Sequence, residues 1–140
     1  HGFNRTDNRF DMQNVIFLRD YHGKLQEEFN SLPIMNDVQY KLDLFFSVKI
    51  PLKMKLNLGF CVDKNRVNSF HTDIMHLANI DYKTCIIYFN TNNGGTLMED
   101  GTFINSVANK LVMFDGNTQH APVYQTDTKK RLVLNYNFII

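Results

Sequence analysis

Residues 54–62 read Met54-Lys55-Leu56-Asn57-Leu58-Gly59-Phe60-Cys61-Val62. Met54, Leu56, Leu58, Phe60 and Val62 alternate with more polar neighbours, and a period of two belongs to a β-strand that buries one face. On this reading Lys53 and Lys55 lie on a solvated strand face. Toward the C-terminus the strand signals recur. Residues 67–73 are a weaker strand candidate. Residues 84–90 are rich in β-branched and aromatic side chains, and the run stops at Asn92-Asn93-Gly94-Gly95. Short strands are expected at 96–98 and near Phe103 and Ile104, with a turn at Asp100-Gly101. Residues 110–114 end at Asp115-Gly116, and 131–139 form a long last strand. Short strands about 8–12 residues apart, with turn residues between them, indicate a sandwich or barrel.

Toward the N-terminus the pattern changes. Between residues 20 and 32, Tyr21, Leu25, Phe29 and Leu32 share one helix face, and Pro33 closes it. Gly23 costs that helix about 1 kcal/mol relative to alanine. Residues 42–50 fit a strand through Leu42, Leu44, Phe46, Val48 and Ile50, and equally a helix through Leu42, Phe45, Phe46 and Lys49. The expected fold is mainly β, of the α+β kind. It is a single domain over 1–140, with a helical N-terminal part over about 1–50 packed on an antiparallel β-sandwich over about 51–140.

The chain has 140 residues, with 15 Lys+Arg against 14 Asp+Glu and a formal charge of +1. A domain of about this length buries roughly 68–70% of its unfolded surface and needs no staple. Near-zero charge argues against a general nucleic-acid or anionic-membrane binder, which carries a basic excess. No apolar run reaches the roughly 18 residues of a membrane span, and no signal peptide is visible. Cys61 and Cys85 are too few for a disulfide scaffold or a thiolate cluster. They read as small buried or semi-buried thiols in a reducing, cytoplasmic setting.

His71 and Asp73 are the first candidates for chemistry. On a strand, residues i and i+2 face the same side with Cα atoms about 6.6 Å apart, so both can converge on one ion. With five histidines in 140 residues the pair alone is weak, and two hydrogen-bonded side chains at a strand end would look the same. A third ligand is needed, and His120 follows a strand-turn signal that can swing it into a site. Two His and one carboxylate on one octahedral face leave three positions open, the arrangement suited to non-haem Fe(II) oxygenases; zinc is more often tetrahedral with one open position. Arg131 follows His120 with ten residues between them. It shares one strand face with Val133, Asn135 and Asn137. A guanidinium inside a sandwich needs a carboxylate, which either the protein or an acidic cosubstrate supplies.

The H-x-D of His71 and Asp73, Gly94-Gly95-Thr96, Phe114-Asp115-Gly116, His120 and Arg131 together resemble the Fe(II)/2-oxoglutarate-dependent dioxygenases. Within that superfamily the chain is most similar to the small prolyl-4-hydroxylase-like group, over about residues 54–139. The resemblance implies a double-stranded β-helix, that is, a jelly-roll or cupin-like sandwich. It implies His71, Asp73 and His120 as iron ligands and as the catalytic centre. Arg131 is implied as the partner of the distal carboxylate of 2-oxoglutarate, with Tyr88 hydrogen-bonding the same carboxylate. Asn135 stands where the family often has Thr or Ser, four residues after the arginine. The implied cosubstrates are 2-oxoglutarate and O2, with ascorbate as an accessory reductant. The implied reaction hydroxylates an unactivated C–H of a peptidyl residue, proline first, or of a small amino-acid-like molecule, releasing succinate and CO2. Asp73, as a retained carboxylate ligand, favours hydroxylation over halogenation. The aromatic residue usual ahead of the H-x-D is not matched; Asn57 and Arg66 are the candidates for that wall.

Tyr88 also reads as an ordinary core tyrosine. His76 is a rival ligand or pocket residue, and His22 a solvent-facing helix residue. Substrate walls are expected from residues 63–69, 75–83 and 101–109. Two other classes remain open: a non-catalytic metal-binding sandwich for sensing or interaction, and a cupin-type metalloenzyme that does not use 2-oxoglutarate.

Overall fold

Pro33 opens a helix. The computed structural model describes residues 11–19, 25–28, 33–64, 66–74 and 80–140, and helix α1 spans Pro33–Phe46. Proline is well tolerated at the first helical position, because its missing N–H is one that no helix start can satisfy internally. Met35, Val38, Leu42 and Phe46 fall at helical spacing and form the face that packs on the protein. The helix ends at Ser47, whose φ of 55° is left-handed, while Val48 N donates to Asp43 O at 2.9 Å. Such a left-handed residue is a common helix stop. The ambiguous run 42–50 thus divides: its first half completes α1, and the chain re-enters the sheet at Ile50.

The expected helix over 20–32 is not found where it can be checked. Leu25–Glu28 is a strand, β2, paired antiparallel with β1 at Asp11–Arg19. The rest of that stretch, including His22, lies outside the described residues. The other strands are β3 (Ile50–Phe60), β4 (Lys83–Tyr88), β5 (Gly95–Met98), β6 (Phe103–Asn105), β7 (Leu111–Asp115), β8 (His120–Val123) and β9 (Lys130–Ile139). They form a six-stranded sheet in the order β2-β1-β3-β9-β4-β7 and a three-stranded sheet β6-β5-β8. Residues 66–74 flank β8 through isolated antiparallel bridges, Val67 to Val123 and His71 to His120. That is what the weak strand signal at 67–73 amounts to. The result is a jelly-roll sandwich that does not close into a barrel.

The two faces of the large sheet have different chemistry. Met54, Cys85, Leu134, Tyr136 and Phe138 point to one side and make the main core under α1. Phe46 stacks on Phe138 at 5.1 Å between centroids, and the Tyr136 hydroxyl donates to Asp43 of the helix. Burial pushes the Cys85 thiol up to about 12, as befits an unreactive core thiol; Cys61 is exposed. The opposite face carries Lys53, Lys55, Asn57, Arg131 and Asn135 and lines a cavity. The solvated lysine face expected from the alternation is therefore corrected. Lys55 is 8% exposed, because a jelly roll folds its polar strand face over a binding cavity.

Candidate metal centre

The site is built on one rung between two strand segments. His71 N donates to His120 O, and His120 N donates to His71 O, each at 3.0 Å. Side chains of directly opposed antiparallel residues leave the sheet on the same side, so the imidazoles lie with centroids 4.9 Å apart. Asp73 follows two residues on and returns to the same face. Its Oδ2 lies 3.9 Å from His120 Nε2. The donor atoms of His71, Asp73 and His120 all fall within 4.8 Å of one another.

Backbone carbonyls set the tautomers. His71 Nδ1 donates to Ser69 O at 3.1 Å, and His120 Nδ1 donates to Thr118 O at 3.2 Å. A carbonyl only accepts, so Nδ1 carries a proton in both rings, and in the neutral ring the Nε2 lone pair is then the one left for a metal, the usual arrangement behind a metal-ligating histidine. His120 Nε2 is buried with no hydrogen-bond partner among the described residues. A buried lone pair facing a carboxylate, with no proton between them, is costly, and a cation satisfies both groups. The donor set therefore fits a divalent metal.

Asp73 is held from several sides. Asn137 Nδ2 donates to its Oδ2 at 3.1 Å and also to Thr84 Oγ1 at 2.8 Å. Asn135 Nδ2 donates to Oδ1 at 3.3 Å, and Asn135 Oδ1 accepts from Asn57 Nδ2 at 3.2 Å. Lys53 Nζ donates to the Asp73 carbonyl at 2.9 Å. Burial drives the Asp73 carboxyl up, but Lys55, His120, Asn137 and Lys53 together outweigh it and hold the group below its ordinary range. His71 is also lowered, chiefly by burial. The carboxylate and the neutral imidazole are the forms that bind a metal.

The structure places His71, Asp73, His120, Arg131, Asn135 and Asn57 on one cavity of about 290 Å³. That is near the small end of ligand sites, roughly 300–1,000 Å³. Arg131 is 6% exposed; its Nη2 donates to Gly95 O at 2.9 Å, and its guanidinium lies 5.7 Å from the Tyr88 ring centroid. Tyr88 is brought near Arg131 but does not line the cavity. It stands behind Thr96, with its hydroxyl 2.7 Å from Thr96 Oγ1. Arg66 is exposed and borders the cavity no more than Tyr88 does. His76 lies outside the described residues. Of the expected substrate walls, Asn68 lines the cavity while none of 101–109 does; residues 75–79 lie outside the described residues.

Sequence reasoning passed over Lys55, Asn137 and Tyr124. Asn137 carried a usable signal, since it shares strand parity with Arg131 and Asn135. Lys55 shares parity with Asn57 in the same way. Tyr124 follows Pro122, which disguised β8.

No family model matches the chain, and no curated protein matches it in sequence. Solved structures share its fold. An oxidoreductase of the 2OG-Fe(II) oxygenase family from Burkholderia pseudomallei superposes with a TM-score of 0.64 at 10% identity, covering 91% of this chain and 66% of its own. A Pseudomonas putida prolyl-4-hydroxylase gives 0.54 at 15% identity, over 99% of this chain and 76% of its own. IDO from Bacillus thuringiensis gives 0.50 at 13% identity, over 94% and 78%. The chain thus spans about two thirds of the length of the Burkholderia protein. These likenesses define the class of fold, the jelly roll that 2OG-Fe(II) oxygenases share.

Proposed function

We propose that the protein is an Fe(II)- and 2-oxoglutarate-dependent dioxygenase that hydroxylates an unactivated C–H bond, in a peptidyl residue such as proline or in an amino-acid-like molecule. The observation that carries this reading is the placement of His71, Asp73 and His120 on one cavity together with the buried Arg131. A metal site used only for binding, or a cupin-type enzyme without the cosubstrate, has no need of a guanidinium in the same cavity.

His71, Asp73 and His120 would hold the ferrous ion as a facial triad. When bound, the ion supplies the O2 chemistry that couples decarboxylation of 2-oxoglutarate to succinate with delivery of one oxygen atom to a C–H bond. The chain's own residues do the positioning. Asn135 and Asn137 fix the carboxylate plane of Asp73. The Ser69 and Thr118 carbonyls aim the Nε2 lone pairs into the cavity. Arg131 offers a planar fork to the far carboxylate of the cosubstrate, and Thr96 borders the cavity beside it. The wall formed by Ile86 and Val133 keeps the cavity partly apolar, which strengthens each polar contact inside it.

Anaerobic titration with Fe(II) and 2-oxoglutarate tests the reading. A weak visible charge-transfer band is expected in the wild type and not in His71→Ala or Asp73→Ala, with circular dichroism unchanged in both variants. Coupled succinate and a +16 Da product are then sought across a panel of prolyl peptides and amino acids. Folded wild-type protein that shows no band removes the proposal.

A further inference from the structure

Four charged side chains line the cavity: Lys53, Lys55, Arg131 and Asp73. Three are basic and one is acidic, in a chain whose formal charge is only +1. Loading the site as proposed above does not remove the imbalance. The charges of a ferrous ion, dianionic 2-oxoglutarate, Asp73 and Arg131 cancel, and Lys55 is not among them. Lys53 has a neutral acceptor, the Asp73 carbonyl. Lys55 is 8% exposed and makes no hydrogen bond or ion pair within 4 Å among the described residues. A buried ammonium that meets its nearest carboxylate, Asp73, only through space, when that carboxylate is already turned to the metal site, is costly.

Position separates Lys55 from Arg131. On the paired strands Lys55 stands opposite Asn135, and Arg131 stands opposite Gly59. Four residues along a strand put the two about 13 Å apart at the backbone, with the Asp73 end of the cavity at Lys55. A keto-diacid chelating the metal through its keto end has one free carboxylate, and the guanidinium fork is the better partner for it. The ammonium at the other end is free to take a second anion.

We propose that Lys55 anchors a carboxylate of the substrate, so that the site takes a small amino-acid-like acid rather than a residue inside a peptide chain. This rests on the dioxygenase reading and sharpens it to one substrate class. The small cavity agrees, since about 290 Å³ leaves little room beyond the cosubstrate. Asn68 and Tyr124, hydrogen-bonded to each other at 3.5 Å, line the same cavity and offer polar atoms to the rest of such a molecule.

The test uses the full chain with the proteinogenic L-amino acids, each as free acid and as C-terminal amide, beside a prolyl tripeptide blocked at both ends. Binding is read without turnover, from the shift of the Fe(II)–2-oxoglutarate band under anaerobic conditions and from the melting temperature with and without metal. At least one free acid should bind, and its amide about tenfold or more weaker. Lys55→Met should cost that acid about tenfold or more while any loss of 2-oxoglutarate affinity stays well below that of Arg131→Ala, and Lys55→Arg should restore part of the loss. Methionine keeps the length of the stem and removes a buried charge, so the variant is expected to fold. Equal binding of acid and amide, a preference for the blocked peptide, or no carboxylate-dependent binder overturns the proposal. So does a loss of 2-oxoglutarate affinity in Lys55→Met as large as that in Arg131→Ala, which would make Lys55 the cosubstrate's anchor. Failure of the parent reading is distinct, because the wild type then shows no band at all, and the melting-temperature arm still decides whether Lys55 holds a carboxylate.

Discussion

Arg131 reaches the cavity from the same strand face as Asn135 and Asn137, flanked by the Tyr88 ring and the Gly95 carbonyl. Its task in the proposed site needs both charge and shape. Arg131→Ala should raise the 2-oxoglutarate concentration needed for half-saturation by about 30-fold or more, and Arg131→Lys should recover only part, since a point charge lacks the fork. Anaerobic band titrations measure both; equal affinity in wild type and Arg131→Ala would place the acid elsewhere. A second outcome at this scale follows from His71. Burial holds its pKa below the ordinary 6.5, helped by His120 and Lys55 and opposed by the Ser69 carbonyl and Asp73. Protons compete with metal for Nε2, so the loss of Co(II) affinity that protonation of His71 causes should fall below about pH 6.5. Stability carries the same sign. The folded state takes up the His71 proton less readily than the unfolded one, so its contribution is full above 6.5 and is lost as pH falls through the folded value. Asp73 repeats this below 3.8. Co(II) absorption and urea unfolding as functions of pH check the two statements, and a midpoint for metal loss above 6.5 would contradict the first.

Among the elements, those with a clean period of two could be read directly. β3, β4 and β9 stand within a few residues of where alternation or β-branched and aromatic composition puts them, and the H-x-D, His120 and Arg131 spacing marks residues that share the cavity. Three misreadings have physical causes. Pro33 reads as a helix stop, although proline suits the first turn of a helix as well as the position after its end. Leu25-Gln26-Glu27-Glu28 favour a helix locally, and pairing with β1 makes them a strand, a tertiary choice that local preference cannot register. Lys53 and Lys55 alternate with apolar residues as solvent-facing positions do, and parity alone cannot tell a solvent face from a cavity face. β8 was hidden by Pro122, a residue that normally demotes a strand; here its carbonyl still accepts from Asn68 N at 3.0 Å. The glycine pair at 94 and 95 reads as the stop of the preceding strand, and Gly95 is the first residue of β5. A Cβ there would collide with the Ile104 carbonyl and the Phe103 ring, and one on Gly94 would come within 2.6 Å of the Val123 carbonyl. Gly95→Ala should therefore lose about 1–3 kcal/mol, seen as a lower urea midpoint at unchanged slope. Gly59→Ala is the control. Its Cβ would meet nothing closer than 3.6 Å, so stability should hold or rise by about 0.4–1 kcal/mol.

The whole molecule places its main apolar core between the large sheet and α1, and sets a smaller apolar cluster of Ile86, Tyr88 and Val133 beside polar residues on the other face of that sheet. Buried Thr84, Asn137 and Gln125 lie on the cavity side, where their hydrogen bonds replace the dispersion contacts of an ordinary sandwich interior. Among the described residues no helix is long and apolar enough to cross a membrane. Part of the inter-sheet region is thus assembled from groups that demand partners, and residues 66–74 pair with β8 through two isolated bridges and reach β3 and β9 through Asp73. The rung between His71 and His120 has a consequence for dynamics. Each of those two amides is protected by the other's carbonyl, and an ion gripped by both imidazoles would clasp the segments that carry them. Deuterium uptake at His71 and His120 should slow when Fe(II) or Co(II) is added, while amides of β4 and β9, closed by their own ladders, keep their rates. Mass spectrometry of peptides from these segments would record occupancy of the centre by its effect on two peptide hydrogens, with no need to know what the protein acts upon.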